Sequence, residues 1–84
     1  MHDLARDSRQ IGNLVRRARK KREWSQSVLA NNAALRQETI SLIETGSANT
    51  RIETLLAVLA ALDLELLIAP RSKGSDEDIK RLFS

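Results

Sequence analysis

No cysteine occurs among the 84 residues, which excludes disulfides and thiolate metal sites. Aromatics are reduced to Trp24 and Phe83, so the stacking platforms with which single-strand and RNA binders hold bases have little to work with. The single histidine, His2, sits at the N-terminal end, and there is neither a glycine-rich phosphate loop nor an H-E-x-x-H pattern. Catalytic and cofactor-dependent readings fall away on that ground. The acidic run Asp76, Glu77 and Asp78 lacks the spacing of a calcium loop and suits a helix N-terminus better. No apolar stretch approaches the roughly 18 residues needed to span a bilayer, and no export signal opens the chain, so a cytoplasmic location is expected.

What remains is a balance of 42% hydrophobic and 30% charged residues, typical of a soluble globular domain. A domain this small buries only about 60% of its unfolded surface, so it must pack very regularly or borrow core from a partner. With cysteine and metal excluded, oligomerisation is the remaining device. The net charge of +3 is unevenly spread: residues 1–51 hold ten Lys/Arg against five Asp/Glu, and residues 52–84 hold four against six. A basic half suits an anionic partner, although basic helices also serve solubility.

Asp7, with Gln10 three residues on, can form a capping box that opens a helix through about Arg22. Ile11, Leu14, Val15 and Ala18 form its apolar stripe and leave Arg16, Arg17, Lys20 and Lys21 largely outside. Ser25 is a good N-cap for a short second helix to about Ala33, after which the apolar phase restarts and residues 34–36 must turn. A third helix covers residues 37–45, buries Ile40 and Ile43, and stops at Gly46. Thr50 and Glu53 match a T-x-x-E capping box for a fourth helix to about Leu62, with an apolar face of Ile52, Leu55, Leu56, Leu59 and Leu62 and Val58 beside it.

Residues 64–69 admit two readings. The fourth helix can run on to Ala69, but it would then be apolar nearly all round, which so small a domain cannot bury alone. The favoured alternative is a short strand of Leu64, Leu66, Leu67 and Ile68. Such a strand would have to pair with its copy across a two-fold axis, because its backbone groups find no partner in a helical domain. Residues 71–75 read as a linker, and a last short helix can carry Ile79, Leu82 and Phe83. The expected organisation is a flexible arm (1–7), a mainly α domain of four to five helices (8–69) that includes the dimerisation strand (64–69), and a tail (70–84).

Residues 26–45 carry the most information. A helix-turn-helix needs apolar side chains at fixed places and a small residue where its helices nearly touch. Counting Gln26 as the first of twenty positions, Leu29, Ala33, Leu35, Ile40 and Ile43 fall at the fourth, eighth, tenth, fifteenth and eighteenth, with Ala30 at the fifth. With Ser25, Thr39, Ser41, Glu44 and Gly46, this run resembles the Cro/repressor-type helix-turn-helix family, also called Xre, and the likeness extends over residues 11–62. Two positions depart from that pattern: Ala34 stands for the usual turn glycine and Arg36 for the usual capping serine. The resemblance implies a double-stranded operator DNA partner, and an internal ion pair between Arg19 and Glu44 that orients the reading helix.

The residue chemistry agrees. At the leading end and outer face of the third helix stand Arg36, Gln37, Glu38, Ser41 and Leu42 as candidate base readers. Arginine pairs with guanine, glutamine with adenine, glutamate accepts from cytosine N4, and leucine touches a thymine methyl. Candidate phosphate contacts are Gln26, Thr39, Thr50, Arg51, Arg16 and Lys20, of which Gln26, Thr50 and Arg51 lie where free backbone N–H groups and the helix dipole attract an anion. A polar helix face is also what any solvated surface helix presents. The strand-like segment directly after the fourth helix is similar to that of HipB-like antitoxins. That likeness implies a homodimer paired through its C-terminal strands, a HipA-like kinase toxin as partner and repression of the protein's own operon on the nucleoid. A stand-alone repressor without a toxin, and a small protein-binding adaptor, remain the competing readings.

Overall fold

The computed structural model describes residues 3–47 and 49–71. Four helices follow in order: α1 (Ser8–Lys21), α2 (Gln26–Ala33), α3 (Gln37–Glu44) and α4 (Ile52–Ala61). The start of α1 is set by Asp7, whose carboxylate accepts from the Gln10 N–H at 2.7 Å, while the Gln10 side chain accepts from the Arg6 N–H at 2.6 Å. Ser25 caps α2 by accepting from the Val28 N–H at 3.1 Å. Neither α3 nor α4 has a side-chain cap, and Arg36 and Arg51 occupy those positions. The expected Thr50–Glu53 capping box therefore does not form. The helix begins one residue later than that pattern demands, and the Thr50 hydroxyl donates instead to the Ser47 carbonyl at 3.5 Å.

All four helices close in the same way. The N–H groups of Trp24, Leu35, Ser47 and Leu64 donate five residues back to the carbonyls of Arg19, Ala30, Leu42 and Leu59, at 3.2, 2.9, 2.9 and 2.8 Å. Such a bond requires a left-handed residue just before the donor. Glu23, Ala34, Gly46 and Asp63 fill those places with φ of 59°, 58°, 90° and 58°. The turn between α2 and α3 thus adopts the left-handed geometry without glycine. Asp63 ends α4, which excludes a helix running on to Ala69.

Among the described residues no strand is present, and residues 64–70 lie outside helix and sheet. The expected strand of Leu64, Leu66, Leu67 and Ile68, which was to pair between two chains, is not seen in the single protomer. A strand is defined by the ladder it shares with a neighbour, and a helical domain offers no sheet edge to supply one. The last short helix with Ile79, Leu82 and Phe83 lies outside the described residues.

The core is aliphatic. Val15, Leu29, Ile40 and Val58 are fully buried, joined by Ala30, Ile43, Leu55 and Leu62, with Ile11, Ala18, Trp24, Ala33, Leu35 and Leu59 packed at its margin. α3 packs against both α1 and α2, and α2 also packs against α4. Ala30, the small residue of the twenty-residue pattern, is buried in this core. The apolar face of α4 is narrower than its composition suggests: Leu55, Val58 and Leu62 are buried, whereas Ile52 and Leu56 stay exposed.

Candidate nucleic-acid interface

α3 is held from behind and left open in front. Ile40 and Ile43 anchor its inner face in the core. Gly12 lets α1 approach so closely that a Cβ there would fall on the Ile43 carbonyl and 2.8 Å from that of Glu44. A glycine is required at that crossing for want of space. The Ser8 hydroxyl donates to the Gly46 carbonyl at 2.9 Å, fastening the start of α1 to the exit of α3.

The Arg19–Glu44 pair forms as the family resemblance implied, and its geometry is bidentate: Nε to Oε2 at 2.7 Å and Nη2 to Oε1 at 2.9 Å. Arg19 Nη1 donates to the Trp24 carbonyl at 2.8 Å, so one guanidinium ties α1, the entry to α2 and α3 together. Both side chains are buried, about 10% and 3% exposed. The hydrogen bonds to Glu44, with its opposite charge, hold the Arg19 guanidinium above its ordinary range against the opposing effect of burial. Next to it, Arg22 lies over the Trp24 ring at 5.0 Å and donates to the Leu62 carbonyl at 3.2 Å, linking the ends of α1 and α4.

In front, Arg36, Gln37 and Glu38 are exposed at the start of α3, and Leu42 is exposed one turn further on. Ser41 is half-buried, and Thr45 behind it donates to the Ser41 and Leu42 carbonyls. A shallow open groove beside this face is lined by Thr39, Leu42, Ser47, Asn49, Thr50, Arg51 and Thr54. It joins Thr39 and Leu42 of α3 to Thr50 and Arg51 at the uncapped start of α4, bringing four of the expected contact residues together. Ser47, Asn49 and Thr54 were not singled out in the sequence, although the polar loop after Gly46 was a signal for the first two. Arg16 and Lys20 are exposed one turn apart on α1 and lie outside the groove lining. Gln26 is turned inward, its Nε2 donating to Glu44 Oε1 at 3.3 Å. Ser27, also passed over in the sequence, donates its hydroxyl to Gln37 Oε1 at 3.0 Å.

The sequence profile described as "Helix-turn-helix" matches residues 15–68, which is most of the chain and includes all of α2, α3 and α4. The chain belongs to the helix-turn-helix family. Within it, the chain is similar to antitoxin HipB of Escherichia coli strain K12, with 29% identity over 72 residues that cover 86% of this chain and 82% of that protein. It is also similar to antitoxin HipB of E. coli O6:H1, with 31% identity over 68 residues, 81% of this chain and 72% of that one. The helix-turn-helix fold superimposes on a chain of the solved HipA-HipB-O2-O3 complex with a TM-score of 0.78 and 27% identity, covering 84% of this chain and all of that chain. No helix among the described residues is long and apolar enough to cross a membrane.

Proposed function

We propose that the protein is a sequence-specific repressor of double-stranded operator DNA that works as a homodimer and as the antitoxin of a HipA-like kinase, repressing its own operon. One observation carries the DNA reading: α3 exposes Arg36, Gln37, Glu38 and Leu42 at its leading end while a buried bidentate ion pair and two core isoleucines fix its opposite face. A rigid helix with a polar leading end is what the major groove accepts, and each good bidentate base contact is worth about 1 to 3 kcal/mol of discrimination. In this reading Arg36, Gln37, Glu38, Ser41 and Leu42 face the bases. Thr39, Thr50 and Arg51 hold a phosphate in the groove, Arg16 and Lys20 take neighbouring phosphates, and Gln26 offers another the Nε2 hydrogen that it does not give to Glu44. The chain serves as an arm (1–7), a DNA-binding domain (8–69) and a tail (70–84), and it binds without catalysis.

Leu64, Leu66, Leu67 and Ile68 supply the dimer contact. All four are exposed in the protomer, Ile68 by 93%, which is costly for a cytoplasmic monomer and explained by a second copy that pairs with the segment. The kinase partner is supported by the similarity to antitoxin HipB and by the likeness to a chain solved in one complex with HipA. Purification of the tagged protein from its native host tests that part. A companion of kinase size supports the antitoxin role; specific DNA binding without one leaves a stand-alone repressor. A protein that ignores duplexes altogether is an adaptor, and the proposal fails.

A further inference from the structure

Gln37 is the first residue of α3 and exposed, so three side-chain torsions would be free if nothing held its amide. A glutamine in that state must be ordered at the moment of base contact, and the ordering subtracts from the discrimination it can deliver. The hydroxyl of Ser27, from the second position of α2, reaches across and donates to Gln37 Oε1 at 3.0 Å. Ser27 has no part in capping α2, which Ser25 performs. The neighbouring Gln26 donates to Glu44 and not to Gln37. The bond leaves Gln37 Oε1 one lone pair and Nε2 both hydrogens, enough to meet the N6–H and N7 of an adenine together.

We infer that Ser27 is a positioning residue for base reading: its hydroxyl presets the Gln37 amide in the plane that meets a base edge. The inference rests on the operator-binding reading. Selection from a duplex library with a randomised 20-base-pair core, using the full chain, gives the preferred sequence. Wild type, Ser27→Ala, Ser27→Thr, Gln37→Ala and the double alanine variant are then titrated with that duplex and its single-base substitutions. Ser27→Ala is expected to lose discrimination about three- to tenfold, the worth of one net hydrogen bond, at the same base pair that Gln37→Ala affects and nowhere else. Affinity for random DNA and its salt dependence stay unchanged, Ser27→Thr restores discrimination, and Ser27→Ala adds nothing in the Gln37→Ala background. Uniform weakening on all sequences with a flatter salt slope makes Ser27 a plain phosphate contact and overturns the inference. So does full discrimination in Ser27→Ala, or an undiminished effect in the Gln37→Ala background. A wild-type protein that enriches no sequence overturns the operator reading as well, whereas enrichment by wild type with an unaltered Ser27→Ala profile removes only the role of Ser27.

Discussion

Glu44 is the residue on which the orientation of α3 depends. Removing it strands the Arg19 guanidinium, 10% exposed, with only the Trp24 carbonyl for company. Breaking one side of a buried pair costs about 3 to 5 kcal/mol, a large share of the stability of a domain this size. Glu44→Ala should therefore move the urea midpoint down sharply, and a loss under 1 kcal/mol would mean that water reaches the pair. Gly12→Ala should be destabilising for a different reason: the added methyl meets two backbone carbonyls of α3, and overpacking of this kind costs about 1 to 3 kcal/mol. An unchanged midpoint would show that α1 can shift away freely. The ion pair was legible before the structure because its two residues fall on a family pattern. Gly12 was not, since nothing in the local sequence says which face of α1 meets a backbone; only the crossing of two helices 30 residues apart makes that glycine necessary.

At the scale of elements, the helix boundaries were readable where they are punctuated. Asp7 and Ser25 stand where caps are needed, and Gly46 stands where a left-handed residue is needed. Where the punctuation is missing, reading was harder. Thr50 invited a cap one residue too early, and Ala34 hid a left-handed turn that glycine would have announced. Ile52 and Leu56 were assigned to the buried face of α4 along with Leu55 because a nearly continuous apolar run has no unique phase; Leu55 and Val58 are buried, while Ile52 and Leu56 are not. Both departures from the family pattern should respond to repair. Ala34→Gly removes a left-handed alanine and is expected to stabilise by about 1 kcal/mol in a denaturant titration, with DNA preference unchanged. Arg36→Ser restores a side-chain cap to α3, expected to add about 1 kcal/mol, while weakening cognate DNA binding through the lost guanidinium. Should Arg36→Ser bind as tightly as wild type, Arg36 reads no base.

For the whole molecule, the charge asymmetry of the sequence is carried by exposed side chains. The exposed cations lie mainly on α1 and at the starts of α3 and α4, while Leu64, Leu66, Leu67 and Ile68 are exposed aliphatic residues later in the chain. The first group suits a polyanion and the second a copy of the protein. Size and composition alone raised the expectation of a partner. The proposed pairing of residues 64–69 would be a property of two chains and would leave no ladder in one. Leu66→Glu combined with Ile68→Glu should convert a dimer into a monomer in sedimentation equilibrium, since it buries like charges across a two-fold axis. A variant that sediments like wild type would place the dimer contact elsewhere.

In the proposed complex a dimer seats two copies of α3 in successive major grooves while several basic and hydroxyl side chains hold the phosphates. Titration of the selected duplex and of a random duplex at salt concentrations from 50 to 200 mM tests it most directly. With at least six phosphates neutralised per dimer, the logarithm of the affinity should fall with the logarithm of salt with a slope of about −5 or steeper, at a slope of about −0.9 per phosphate. Arg51→Ala should flatten that slope by about 2 per dimer and weaken both duplexes alike. A flat salt dependence, or equal affinity for selected and random DNA at every concentration, would contradict the account.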